Sequence, residues 1–246
     1  MDNKIKVALC LSGEPRSSMF CFPYIYEAFL KPNPLFKTDT YIHSWKNFRA
    51  LDLYNPKNYK IQNTNDDFIG DIINTLNFSP SLQEQLSYYN LHTKSTNFLF
   101  NQVKMFYSIK ECFNLIQEDY DIIIRCRYDL IFLNRDFIQS IIYSIINNDY
   151  NIFIPYSGFP KINQSKGYND QLAIGDLSSM NVYSNIINHL PSICYKVNRW
   201  DGEVFIKHIL DNNNNIKVSQ SFINHKVVRQ SDVITNKINP NNFLDE

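Results

Sequence analysis

Short apolar runs, β-branched and nearly continuous, alternate along this chain with longer stretches in which apolar residues recur every three or four positions. A continuous run bounded by polar residues marks a strand buried on both faces. The wider spacing marks a helix with one apolar side. Lys4 to Leu11, Asp39 to Trp45, Asp121 to Arg127, Asn151 to Pro155 and Lys217 to Phe222 read as strands. Helices are expected from about Ser18 to Leu30, where Lys31-Pro32-Asn33-Pro34 stops the pattern, and at Asp66–Phe78, Ser81–Tyr89, Asn97–Glu118, Phe137–Asn147, Leu177–Leu190 and Gly202–Leu210. Asn97–Glu118 has the broadest apolar face, built on Val103, Phe106, Tyr107, Ile109, Phe113, Leu115 and Ile116. Lys46 to Asn65 reads as irregular and polar, and Gly158 to Gly167 as a flexible loop. Alternating strands and helices predict an α/β fold: one Rossmann-like domain with a mainly parallel central sheet flanked by helices. Residues 1–235 form that domain, with 46–90 as a helical insertion or lid, and 236–246 as a frayed tail.

Composition narrows the function classes. The 246 residues carry 24 Lys and Arg against 24 Asp and Glu, a formal net charge of zero. That argues against a nucleic-acid binder relying on bulk charge. The five cysteines are scattered, with no zinc spacing, and most sit in apolar runs, so a reducing compartment and a cytoplasmic location are expected. No apolar stretch reaches the ~18–20 residues that cross a bilayer. The longest candidate, Phe137 to Ile154, is broken by Asn147-Asn148-Asp149. A Walker phosphate loop, GxGxxG, HExxH and GxSxG are all missing, which removes the commonest NTPase, dehydrogenase, metalloprotease and hydrolase readings.

What remains is charge at the carboxyl ends of the expected strands, where open α/β sheets hold their ligands. The run Ile122-Ile123-Ile124 leads into Arg125, Arg127 and Asp129, which share one face at a period of two. Charges there are costly unless paired or turned into a cleft. Two cations and a carboxylate suit a phosphate-bearing ligand, with or without a divalent metal; the alternative is an internal Arg–Asp salt bridge. Ser12, Gly13 and Arg16 end the first strand, where glycine permits close backbone approach and arginine a bidentate phosphate contact. Asp170 and Gln171 precede a small-residue strand and suit recognition of sugar hydroxyls, while Asp176 is a good helix N-cap. Arg199-Trp200-Asp201-Gly202-Glu203 opens an amphipathic helix. Trp200 suits stacking on a sugar face, and Asp201 or Glu203 suits a general base or, alternatively, a cap and a dipole partner. His225 follows the last strand as a candidate ligand.

Taken together these residues resemble a GT-A-type glycosyltransferase, in the form found in uncharacterised glycosyltransferase-like proteins of giant DNA viruses and some bacteria. The pattern is an apolar strand ending in SGxxR (Ser12 to Arg16), a long helix, an RxRxD strand (Arg125 to Asp129) and a DQxxxG segment (Asp170 to Gly175). Their order and spacing carry the match over most of the chain, Lys46–Tyr89 and the tail excepted. The resemblance implies a nucleotide-diphosphate sugar donor such as a UDP-sugar and a glycan or a lipid- or protein-linked acceptor. It implies Ser12, Gly13, Arg16, Arg125, Arg127 and Gln171 as donor-binding residues, and Glu203, Asp201 or Asp170 as the catalytic acid or base. Mn²⁺ or Mg²⁺ would be held by Asp129 and His225. The family's DxD motif falls on Arg127-Tyr128-Asp129, where only the last Asp is kept, which leaves metal-bound and metal-free diphosphate sites both open. If the chain is viral, the host cytoplasm is its place of work. Two alternatives stay open: a sugar-phosphate nucleotidyltransferase, and a non-catalytic glycan-binding or scaffold protein.

Overall fold

A computed structural model describes residues 4–46, 51–63, 66–84, 87, 97–132, 136–156, 167–197, 200–223 and 225–229. Residues 158–166 of the expected loop, Arg199, the second half of the helix expected at Ser81–Tyr89 apart from Ser87, and the expected tail lie outside the described residues. The apolar runs form β1 (Ile5–Gly13), β2 (Phe36–Ser44) and β4 (Ile122–Cys126), with β3 (Asn58–Ile61), β6 (Ile152–Phe153), β7 (Leu172–Gly175) and β8 (Val218–Ser219) completing a seven-stranded sheet. The order is β3-β2-β1-β4-β7-β6-β8. β1 runs parallel to both β2 and β4, and β2 to β3. Only β7 runs against its neighbours, β4 and β6. The chain thus steps from β1 outward to β3 and returns to β4 on the other side of β1. The gap between the carboxyl ends of β1 and β4 is the switch point at which doubly wound sheets bind ligands.

Helices cover both faces. The described helices are α1 (Ser18–Ile25, continued by a π-turn over Tyr26–Leu30), α2 (Leu51–Tyr54), α3 (Asp66–Asn74), α4 (Asn97–Phe113), α5 (Asp136–Ile146), α6 (Leu177–Ser184), α7 (Ile186–Lys196) and α8 (Gly202–Asp211), with residues 80–84 also helical. Strand alternation sorts the side chains. Val7, Leu9 and Leu11 of β1, with Ile122 and Ile124 of β4, pack against α1 and α5. Ala8, Cys10 and Ile123 face the other way, against Val103, Phe106 and Ile109 of α4 and residues of α6, α7 and α8.

Three expectations need correcting. Lys46–Asn65 is not irregular throughout: it holds α2 and the parallel edge strand β3, whose half-exposed residues leave no apolar run to read. The helix expected over Leu177–Leu190 is two, turned at Asn185, and the second continues through Pro191 to Lys196. The strand from Asp121 does not carry Arg127 and Asp129 onward in extended form. It ends at Cys126, the chain turns at Tyr128 and Asp129, and β5 (Leu130–Phe132) then pairs with β9 (His225–Val227) in a separate two-stranded sheet.

Candidate active site

The polar residues that end β1 and β4 lie on the face covered by α4. Ser12 continues the parity of Ala8 and Cys10, and Arg125 that of Ile123. Arg125 pairs across the sheet with Cys10 on one side and Ala173 on the other, two small side chains that leave room for a guanidinium. Here a cleft of about 260 Å³ opens. Ser12, Gly13, Glu14 and Arg16 form one end, Arg125, Arg127 and Asp170 the floor, and Trp45 with Asn101, Gln102, Lys104 and Met105 the helix-side wall. Gly13 has φ +118°, a conformation that side-chain-bearing residues rarely adopt, and it turns the chain sharply out of β1 along the cleft rim.

Arg125 is 2% exposed. One terminal nitrogen donates to the Asp170 carbonyl oxygen, and its Nε has no partner among the described residues. It makes no ion pair with a described carboxylate. A buried guanidinium without a counterion is a costly arrangement, at about 3–5 kcal/mol when a partner is missing. Two further buried atoms on the same cleft, Ser12 Oγ and Gln102 Oε1, also lack partners among the described residues. Each unmet buried polar atom costs about 1–3 kcal/mol. All three residues line one cavity, and buried polar atoms left unmet call for an explanation.

Arg127 is organised differently. Its Nε donates to Asp129 Oδ1 at 2.8 Å and a terminal nitrogen to Asp129 Oδ2 at 2.7 Å, a bidentate pair. Burial opposes the Arg127 charge, but the Asp129 carboxylate, with help from Asp170, outweighs it and raises its pKa. Asp129 is 1% exposed and does not line the cleft. The Tyr128 phenol beside it shares its proton between the Leu11 and His43 carbonyl oxygens, at 3.0 and 2.9 Å, and ties this turn beneath β1 and β2. Arg16 is exposed and sits 3.8 Å from Glu14.

Of the residues expected in a site, Ser12, Gly13, Arg16, Arg125, Arg127 and Asp170 come together in the cleft. Gln171 does not, because alternation turns it away from Asp170; its Oε1 meets His225 Nε2 at 3.1 Å. His225 also holds the Ile223 carbonyl oxygen through Nδ1 at 2.9 Å, and burial lowers its pKa. Asp201 caps α8 by accepting from the Glu203 N–H at 3.1 Å, and neither acid lines the cleft. The Glu203 backbone is pressed against Gly167, where a β-carbon would come within 2.3 Å of it. Trp200 is not a stacking platform: it is 1% exposed, edge-on to Phe205 at 4.9 Å and Phe78 at 5.7 Å. Trp45, Asn101, Gln102, Lys104 and Met105 were not legible as site residues, and only the fold brings the start of α4 over the strand ends.

Asp129 and His225, the residues expected to hold a metal, already have partners within the protein. Hard divalent cations take six or more oxygen ligands, carboxylates foremost. Both Asp129 oxygens accept from Arg127, and His225 Nδ1 is held by the Ile223 carbonyl oxygen. Among the described residues no group of three or more His, Cys, Asp or Glu is placed to hold a metal ion. No helix among them is long and apolar enough to cross a membrane.

No protein-family model matches the chain, and no curated protein does. Solved structures that resemble it include mouse xyloside xylosyltransferase 1, at 11% identity over 88% of this chain and 84% of that one, with a TM-score of 0.48. The mannosyltransferase Ktr4p from S. cerevisiae aligns at 13% identity over 92% of this chain and 70% of its own, with a TM-score of 0.49. A glycosyltransferase involved in glycosylation of the major capsid of PBCV-1 aligns at 6% identity over 87% and 82%, with a TM-score of 0.44.

Proposed function

We propose that the chain is a glycosyltransferase that moves a sugar from a nucleotide-diphosphate donor to a hydroxyl of a glycan or of a lipid- or protein-linked acceptor. The buried Arg125, with an unmet Nε and no counterion among the described residues, carries this reading. A diphosphate across the ends of β1 and β4 supplies both the acceptor and the charge it lacks. Arg127, held rigid by Asp129, meets the same anion from beside it. The SGxxR and RxRxD patterns, in GT-A order, agree with that placement. In an inverting transfer the anomeric carbon–oxygen bond to the diphosphate breaks as the acceptor oxygen bonds to that carbon. Asp170, on the cleft floor, takes the acceptor's proton. Negative charge leaves with the diphosphate, and the two preorganised guanidiniums stabilise it, which is the largest rate term.

Thermal-shift and calorimetric titration with a panel of UDP- and GDP-sugars and the free nucleoside diphosphates, with and without Mn²⁺, tests the reading. At least one nucleotide sugar should bind, and Arg125→Gln should weaken it about ten- to hundredfold, the range of a charge-assisted hydrogen bond. Binding of free glycans alone overturns the reading in favour of a lectin-like module. Release of pyrophosphate from a nucleoside triphosphate and a sugar phosphate overturns it in favour of a nucleotidyltransferase.

A further inference from the structure

Gln102 takes no part in the transfer step itself. It stands in the second turn of α4, on the cleft wall, with Oε1 buried and unpartnered among the described residues. The start of α8 presses on it from behind: a β-carbon on Gly202 would lie 3.1 Å from Met105 Cε and 3.7 Å from Gln102 Cδ. Glycine at that position lets α8 close against Met105, beside the Gln102 amide. A carbonyl oxygen only accepts. The Arg125 Nε–H on the cleft floor only donates. One anion cannot satisfy both, because a phosphate at neutral pH offers acceptors and almost no donors. The two unmet atoms therefore call for two parts of one ligand, an anion at Arg125 and a hydroxyl or N–H group at Gln102.

The position decides which donor group that is. Trp45 follows β2, on the far side of β1 from Arg125, so a planar base has its aromatic neighbour there. Gln102 lies towards α8, which packs on α6 and α7 beside β7. We propose that Gln102 Oε1 accepts a hydrogen bond from a hydroxyl of the donor's transferred sugar and sets which sugar the cleft admits. This rests on the nucleotide-sugar reading.

Its test is calorimetry on wild type and Gln102→Leu with four probes: UDP, GDP, UDP-glucose and GDP-mannose. Gln102→Met is the second variant if leucine's branching crowds Met105. The wild-type protein should bind a nucleotide sugar more tightly than the matching diphosphate. The variant should lose about five- to tenfold on the nucleotide sugar and nothing on the diphosphate. Its melting temperature should not fall, since the oxygen removed was unpaired. An equal loss on both probes assigns Gln102 to the nucleoside and overturns the inference, as does no loss on either. A wild-type protein that binds none of the four sinks the parent reading instead.

Discussion

Asp129 is where sequence and structure make opposite predictions. If it held a metal or the diphosphate, its replacement would abolish turnover and leave the fold intact. In the structure it is 1% exposed and grips Arg127 through two hydrogen bonds of 2.8 and 2.7 Å. Removing one member of a buried pair strands the other's charge, at about 3–5 kcal/mol. The Arg127 side chain keeps 24% of its surface in solvent, so the lower end applies, about 3 kcal/mol. That is a large share of the ~5–15 kcal/mol that holds a domain together. Urea unfolding of Asp129→Asn, Arg127→Met and Asp129→Asn/Arg127→Met reads it directly. Asp129→Asn should lose about 3 kcal/mol and Arg127→Met, which strands the buried carboxylate, about 3–5 kcal/mol; the double variant should fall short of the sum by about 2–3 kcal/mol, the coupling of the pair. Donor affinity should fall with the Asp129 change as well, because Arg127 is no longer aimed. An Asp129→Asn protein as stable as wild type yet inactive would refute this reasoning and return Asp129 to the reaction itself.

Two further outcomes are expected. Burial lowers the His43 pKa from its ordinary 6.5 to about 4. Its contribution to stability is whole above pH ~6.5 and is lost as pH falls towards 4, because the unfolded chain takes up a proton that the folded chain refuses. The full swing is about 3 kcal/mol, and His225 is shifted the same way. Urea midpoints between pH 7 and 4.5 should fall for wild type and flatten in His43→Gln; parallel curves would exclude His43 as the source. Gly13→Ala meets no atom within 4 Å, so its cost is that of the backbone at φ +118° alone, about 1–3 kcal/mol. Circular-dichroism melting should show the loss and calorimetry a weaker nucleoside-diphosphate affinity; an unchanged melt would mean the turn relaxes freely.

The core strands and most helices were legible because burial on both faces leaves an apolar run and burial on one side leaves a period. β3 was not, since an edge strand with half-exposed Asn58 to Ile61 carries neither signal. Nor was the fate of Asp129. Strand alternation ends at Cys126, and the turn at Tyr128 folds Asp129 back onto Arg127.

The site itself had a signal finer than charge at strand ends. Ser12 occupies the parity of Ala8 and Cys10, and Arg125 that of Ile123. Gln102 stands one turn before Phe106, on the helix face that covers them. Each is a polar residue in a slot whose periodicity demands an apolar one. Such a slot is tolerable when its polar group is met, and among the described residues one atom of each of these three is not. Periodicity alone could name Ser12 and Arg125, because a strand's partners follow from its alternation. Gln102 needed the crossing of α4 over the β1–β4 gap, a relation between segments distant in the chain that no local pattern encodes.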